Sequence, residues 1–207
     1  MTKSIDFWES YYSQNKYPKN PSLFAEFVKP FLIKNEKLLE LGCGNGRDSV
    51  FFAKNGVDVI GVDQCSNEIK FLSDEFSSFE NLNFFVSDMT DLSLEINPFY
   101  VYSRFTIHSI DEQGEDRLLK WVGDNIKVGG LFFIEVRSVK DELFGVGEKV
   151  AKNTYQTDHF RRFIEIETLV SKLESEYFRI LYKLEAQGLA PYKEEDPTVI
   201  RLVAIRV

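Results

Sequence analysis

Gly42, Gly44 and Gly46 stand on a two-residue beat in "LLELGCGNGRDSVFFA", residues 38–53, between an apolar run and a helix-like pattern. Without Cβ atoms they permit a tight turn and close approach of backbone to a ligand. In an open α/β sheet, ligands bind at the carboxyl ends of the strands where strand order reverses, which is where such a loop would lie. A dinucleotide fingerprint needs its third glycine at position 47, but Arg47 is there, and the Gly-Lys-Ser/Thr ending of a phosphate loop is absent. Glu40, just before the loop, would repel a pyrophosphate. Two further carboxylates extend the pattern. Asp63 ends the next apolar run and can accept hydrogen bonds from both hydroxyls of a ribose. Asp88, in "VSDMTDL", can accept from an adenine amino group. The set describes a nucleoside with a cationic or neutral tail.

A second set of candidates is basic. "YVYSRFTIHSID" carries Ser103, Arg104 and His108 at or just past the end of a predicted strand; Arg137 ends another, and "TDHFRRF" adds His159, Arg161 and Arg162. Both of the chain's histidines fall in these segments, and the net charge is −8. Such local concentration points to an anionic ligand, because arginine offers oxyanions a planar fork of donors. A neutral amine or hydroxyl would need a base, for which His108 is the candidate. Structural readings stand beside these. Arg104 can pair with a carboxylate across the sheet, His108 can cap the following helix, and Arg161 and Arg162 can be solvated surface charges.

The elements that must position these residues alternate. Ser4 can cap a first helix with Phe7, Trp8, Tyr11 and Tyr12 on one face, and "YPKNP" then breaks the chain. Ser22 can cap a second helix, with Leu23, Phe24, Phe27, Val28 and Phe31 inward. Strands are expected at "KLLELG", "VDVIGVD", "LNFFVSD", "FYVYSRF" and "GGLFFIEVR", with helices between most of them; a last helix covers 167–177, and "YFRILYKLEA" and "VIRLVAIRV" close the chain as an antiparallel pair. This order implies α/β architecture: a mostly parallel sheet with helices on both faces. The aromatic first helix, with Tyr17 beyond it, can be a lid or plain packing.

The chain has 207 residues, 43% of them hydrophobic, which suits one domain. An acidic balance without a basic stripe argues against nucleic-acid binding. "MTKSIDFWES" lacks the apolar centre of a secretory signal, and no apolar run reaches membrane-spanning length. Two cysteines without metal-type spacing argue against a disulfide framework or a zinc site. A soluble, cytoplasmic protein acting on small molecules is the expectation.

With "LELGCGNGRDS", "GVDQC", "SDMTDL" and "KVGGLFFIEV" in order, the sequence resembles the class I S-adenosylmethionine-dependent methyltransferases over roughly residues 36–137. The resemblance implies a Rossmann-like sheet of seven strands, the last antiparallel, in a domain spanning 36–207 behind a helical cover at 1–35. It implies that Gly42, Cys43 and Gly44 wrap the methionine portion, Asp63 holds the ribose, Asp88 with Met89 frames the adenine, and Gln64 belongs to the cofactor set. Glu40 would organise the loop, and Gly46 and Ser103 complete the cofactor set. S-adenosylhomocysteine would be the product. His108 and Arg104 become catalytic candidates. Tyr12, Arg137, His159, Arg161 and Arg162 become candidates for binding an anionic acceptor.

"SRFTIHSI" is more loosely similar to methyltransferases found with bacterial surface-polysaccharide and phosphocholine genes. That implies a phosphate- or phosphoramidate-bearing intermediate of capsule synthesis as acceptor. Two alternatives stand: a detoxifying thiol, amine or chalcogen methyltransferase, and a non-catalytic cofactor-binding partner or sensor. "NPFY" at 97–100 resembles the amine clamp of DNA and protein-glutamine methyltransferases but precedes the strand it would have to follow, and Pro98 reads as a turn.

Overall fold

A computed structural model describes residues 2–14 and 20–207, with side chains from residue 5 onward in the first helix. Tyr17, and most of the "YPKNP" break, lie outside the described residues. The apolar runs form the strands they predict: β1 (Lys37–Leu41), β2 (Asp58–Asp63), β3 (Leu82–Val86), β4 (Tyr100–Arg104) and β5 (Leu131–Arg137). These pair in parallel. The closing strands β9 (Phe178–Ala186) and β10 (Val199–Arg206) pair antiparallel, and β10 inserts between β5 and β9. The seven-stranded order is β3-β2-β1-β4-β5-β10-β9. Strand order reverses at β1, so the crevice opens above the carboxyl ends of β1 and β4.

Each face of the sheet buries its own apolar layer. Helices α2 (Leu23–Val28), α3 (Arg47–Lys54) and α4 (Ser66–Glu75) cover one face, with Phe24, Val28, Val50, Phe52, Ile69 and Leu72 against the sheet. Helices α5 (Glu112–Asn125) and α6 (Ile166–Ser175) cover the other with Leu118, Leu119, Val122, Leu169 and Leu173. Buried on both sides, the central strands read as continuous apolar runs.

Three local expectations change. Helix α1 runs Thr2–Gln14, so Ser4 lies inside it and is not its cap. Ser22 does cap α2, accepting from Ala25 N at 2.9 Å. That helix is only six residues long, however, and leaves Leu23 and Phe31 substantially exposed. His108 does not cap α5; Asp111 does, accepting from Gly114 N at 2.7 Å. One unit was not expected at all. β6 (Glu148–Ala151), β7 (Thr154–Gln156) and β8 (Phe160–Arg162) form a separate antiparallel sheet that carries the "TDHFRRF" segment. Its strands are three or four residues long, β6 exposed throughout and β7 and β8 each with one buried residue, too short to show an alternating pattern.

Candidate functional site

The turn after β1 is built for close approach. Gly42 and Gly44 have φ of 66° and 52°. A Cβ on Gly42 would meet Thr106 Cγ2 at 2.5 Å, and one on Gly44 the Tyr12 hydroxyl at 2.6 Å. Cys43 N donates to Val62 O at 2.9 Å, fastening the loop to β2. Thr106 Oγ1 reaches Leu41 O at 2.9 Å and Arg104 O at 3.0 Å, which ties the loop to the end of β4. Gly46, at φ 71°, opens α3, and its missing Cβ faces Leu72 and Phe84 in the core rather than the crevice.

The expected carboxylates converge on the same opening. Asp63 accepts from Gly44 N at 2.9 Å and from Cys65 N at 3.0 Å, one backbone donor on each oxygen. A carboxylate has about four acceptor sites, so Asp63 keeps capacity for further donors. Glu40 accepts from Ser49 Oγ, and burial, with Asp48 nearby, holds its carboxyl well above the usual range. Asp88 is exposed and accepts from Thr90 N and Thr90 Oγ1, both at 2.8 Å, on a single oxygen. Met89 packs partly against the core beside it. Glu40, Gln64, Asp88 and Met89 all line one cavity of about 1180 Å³. That exceeds the roughly 300–1,000 Å³ of a typical single-ligand pocket. Burial, then Asp63, pushes the Cys43 thiol up, as it does the Cys65 thiol, so neither is a reactive thiolate.

Helix α1 roofs this cavity. The Tyr12 hydroxyl sits over Gly44, and burial followed by the Asp63 charge holds it well above the usual tyrosine range. Trp8 stacks on Tyr12 at 5.9 Å, and Phe7 stacks on His159 at 4.6 Å. The expected aromatic face is therefore turned toward the site.

The basic residues part company. Arg104 donates from Nε to Glu135 at 3.0 Å, the cross-sheet pairing, yet also lines the cavity. Arg137 is clamped by both oxygens of Asp141 at 3.1 Å and by Glu195 at 2.7 Å. Arg162 is turned away. It is buried against Glu115 and the carbonyls of Ile110 and Ile107, holding the turn that carries His108. Ser103 lies fully buried within the sheet, paired across to Leu41 and Ile134, and does not reach the cavity. Arg161 faces the cavity, with Nη2 at 2.9 Å from His159 Nε2 and Nη1 at 3.4 Å from Thr157 Oγ1. Among the described residues it has no carboxylate within ion-pair distance.

His108 is 5% exposed, with Nδ1 lacking a hydrogen-bond partner. Burial first, then the charges of Arg137 and Arg161, keep it well below the usual histidine range. Burial and Arg161 also lower His159, outweighing Asp158, whose carboxylate is 2.8 Å from Nδ1 without hydrogen-bond alignment. Both imidazoles are thus neutral near pH 7. Sequence reasoning missed Glu135, Thr106, Phe105 and Tyr192 with Glu195 in the loop before β10; of these, Thr106 and Phe105 lay in "SRFT" and Glu135 in "KVGGLFFIEV", while Tyr192 and Glu195 had no motif around them.

The model of the family described as "Tellurite resistance protein TehB" matches residues 4–176. A Haemophilus influenzae protein named "Probable S-adenosyl-L-methionine-dependent methyltransferase TehB" is 26% identical over 172 residues, covering 79% of this chain and 58% of that one. "Phosphoethanolamine N-methyltransferase 3" of Arabidopsis thaliana is 28% identical over 184 residues, covering 82% of this chain and 37% of that one. The chain spans about half the length of the curated relatives it matches first. A solved S-adenosylmethionine-dependent methyltransferase from Methanosarcina mazei superposes with a TM-score of 0.76 at 16% identity, covering 87% and 97% of the two chains. The fold is the Rossmann-like methyltransferase fold.

Proposed function

The chain belongs to the family of the tellurite resistance protein TehB, and on that premise we propose that it transfers a methyl group from S-adenosylmethionine to a small anionic acceptor. When bound, the cofactor supplies a methyl group on a sulfonium, already activated for in-line displacement. The residues fit it. Gly42 and Gly44 let the loop pack tightly under Thr106 and Tyr12, where a Cβ would clash, and Asp63 retains open acceptor sites at the end of β2. Glu40, Asp88 and Met89 line the same cavity. The chain's remaining task is alignment and exclusion of water, and α1, with Trp8 and Tyr12 turned inward, is placed to do both. Of the expected cover at 1–35, α1 roofs the cavity, while α2 reaches it with Pro21, Ser22 and Leu23 at its start and is otherwise bound into the core, Ser22 donating to Asp48 at 2.6 Å.

One observation carries the anionic acceptor. Arg161 is a half-buried guanidinium facing the cavity without a carboxylate partner among the described residues, beside two histidines kept neutral. A neutral His108 with a depressed proton affinity is a weak base but a sound hydrogen-bond partner, which suits an acceptor that arrives already charged. The names of the relatives agree with such an acceptor: tellurite is an oxyanion, and phosphoethanolamine carries a phosphate. A detoxified chalcogen oxyanion thus joins the two enzyme readings of the sequence. The capsule reading rests on "SRFTIHSI" and the arginines, and gains nothing from the family match. Calorimetric titration with S-adenosylhomocysteine tests the cofactor half. Asp63→Ala should weaken binding at least tenfold, since hydrogen bonds to a charged group are worth about 1.5–3 kcal/mol. Unchanged affinity would remove Asp63 from the site.

A further inference from the structure

Phe105 follows β4 directly with φ of 54°, a left-handed backbone that a bulky side chain rarely adopts and that glycine would adopt freely. Its N–H donates to Glu135 O at 2.8 Å, which locks the conformation to β5. Strained residues of this kind collect at functional sites, held there by their surroundings. If the turn alone mattered, the ring would be a cost without return.

The ring has unusual company. The guanidinium carbon of Arg104 lies over it at 4.5 Å, that of Arg137 at 5.8 Å, and the His108 ring is 5.4 Å away. An aromatic face carries partial negative charge and attracts cations, so one ring steadies two guanidiniums that would otherwise repel. Their remaining bonds differ. Arg137 commits both terminal amino groups to Asp141 and Glu195. Arg104 commits only Nε, to Glu135. Its Nη groups make no hydrogen bond among the described residues, and the side chain lines the cavity. Glu135 holds Arg104 from one side and the Phe105 ring from another, which leaves the open edge of the fork for a ligand.

We propose that Phe105 is a positioning residue for the acceptor: it holds Arg104 so that both Nη groups meet the oxygens of a small oxyanion, while Arg161 adds a second guanidinium with no carboxylate in direct contact among the described residues. This rests on the anionic-acceptor reading above. The test is calorimetric binding of inorganic phosphate to the full chain saturated with S-adenosylhomocysteine. Wild type should bind phosphate, and Arg161→Gln should weaken it. Phe105→Leu keeps bulk and removes the ring; it should weaken phosphate about fivefold or more, with S-adenosylhomocysteine affinity within about twofold of wild type. Phe105→Tyr, which keeps the ring, should restore phosphate binding. Should Phe105→Leu fail to fold, Phe105→Met takes its place. Unchanged phosphate binding in the ring-less variant, an equal loss of both ligands, or no recovery with tyrosine overturns the assignment of Phe105 alone. Wild type that ignores phosphate, or binds it independently of Arg161, overturns the anionic-acceptor reading and this inference with it.

Discussion

Arg161 and His108 set the chemistry at the residue scale. Each raises the cost of charging the other, and the balance is readable in solution. Replacing Arg161 with Gln removes one of the charges that depress both histidines. The imidazole resonances of His108 and His159 should then titrate at higher pH in NMR; unmoved titrations would place Arg161 too far away to matter. The folded His108 resists protonation, so its sign follows directly. Above pH 6.5, its ordinary value, the unfolded imidazole is neutral too and nothing is lost. Below that, the unfolded chain gains a proton that the folded chain refuses, and stability falls by up to about 1.4 kcal/mol per pH unit. Glu40 and Glu135, shifted upward, act oppositely above 4.5. Urea unfolding at several values between about pH 7.5 and 5.5 should therefore show a smaller loss for His108→Gln than for wild type; matching losses would contradict a buried neutral histidine.

At the scale of elements, the carboxyl ends of β4 and β5 are joined by one carboxylate. Glu135 accepts from Arg104 at 3.0 Å and from Arg201, on β10, at 2.6 Å. Arg201 is 5% exposed. Glu135→Ala leaves that guanidinium buried without its partner, and should cost about 3–5 kcal/mol in denaturant unfolding, besides loosening Arg104. A loss under about 1 kcal/mol would mean that the pair is effectively solvated. This joint also marks how far the sequence could be read. β1, β2, β4 and β5 were legible because central parallel strands are unbroken apolar runs, and β3, at the edge, because its buried residues alternate. The glycine loop was legible because its spacing excludes the commoner nucleotide motifs. The β6–β8 sheet was not, since strands of three or four residues are too short to leave a pattern. Nor could the fates of the arginines be read. Arg161 and Arg162 are neighbours in sequence on a strand, so their side chains alternate, and only the register with β7 decides which one meets Glu115 and which one meets the cavity. Ser103 went astray for the same reason: one step along β4 separates the sheet interior from Arg104 at the crevice.

For the whole molecule, the parts meet above the sheet's switch point. The glycine loop and Asp63 come from β1 and β2, Arg104 and His108 from β4 and the turn after it, Arg161 from the small sheet, and the aromatic roof from α1. Among the described residues no helix is long and apolar enough to cross a membrane. The roof has its own consequence. With Tyr12 over Gly44 and Trp8 stacked on it, deleting residues 2–14 should leave the sheet folded, as no described α1 side chain belongs to either buried apolar layer. S-adenosylhomocysteine affinity should nonetheless fall severalfold in calorimetry. A truncated chain that binds as tightly as the full one would make α1 mere surface packing.

Transfer of a labelled methyl group from S-adenosylmethionine to matched acceptors tests the central claim most directly. The set should pair tellurite, selenite and phosphoethanolamine with neutral thiols and amines of similar size. The account predicts label on one or more of the anionic members, lost when Arg161 is changed to Gln while S-adenosylhomocysteine still binds. Label on neutral acceptors alone, or transfer indifferent to Arg161, would contradict it.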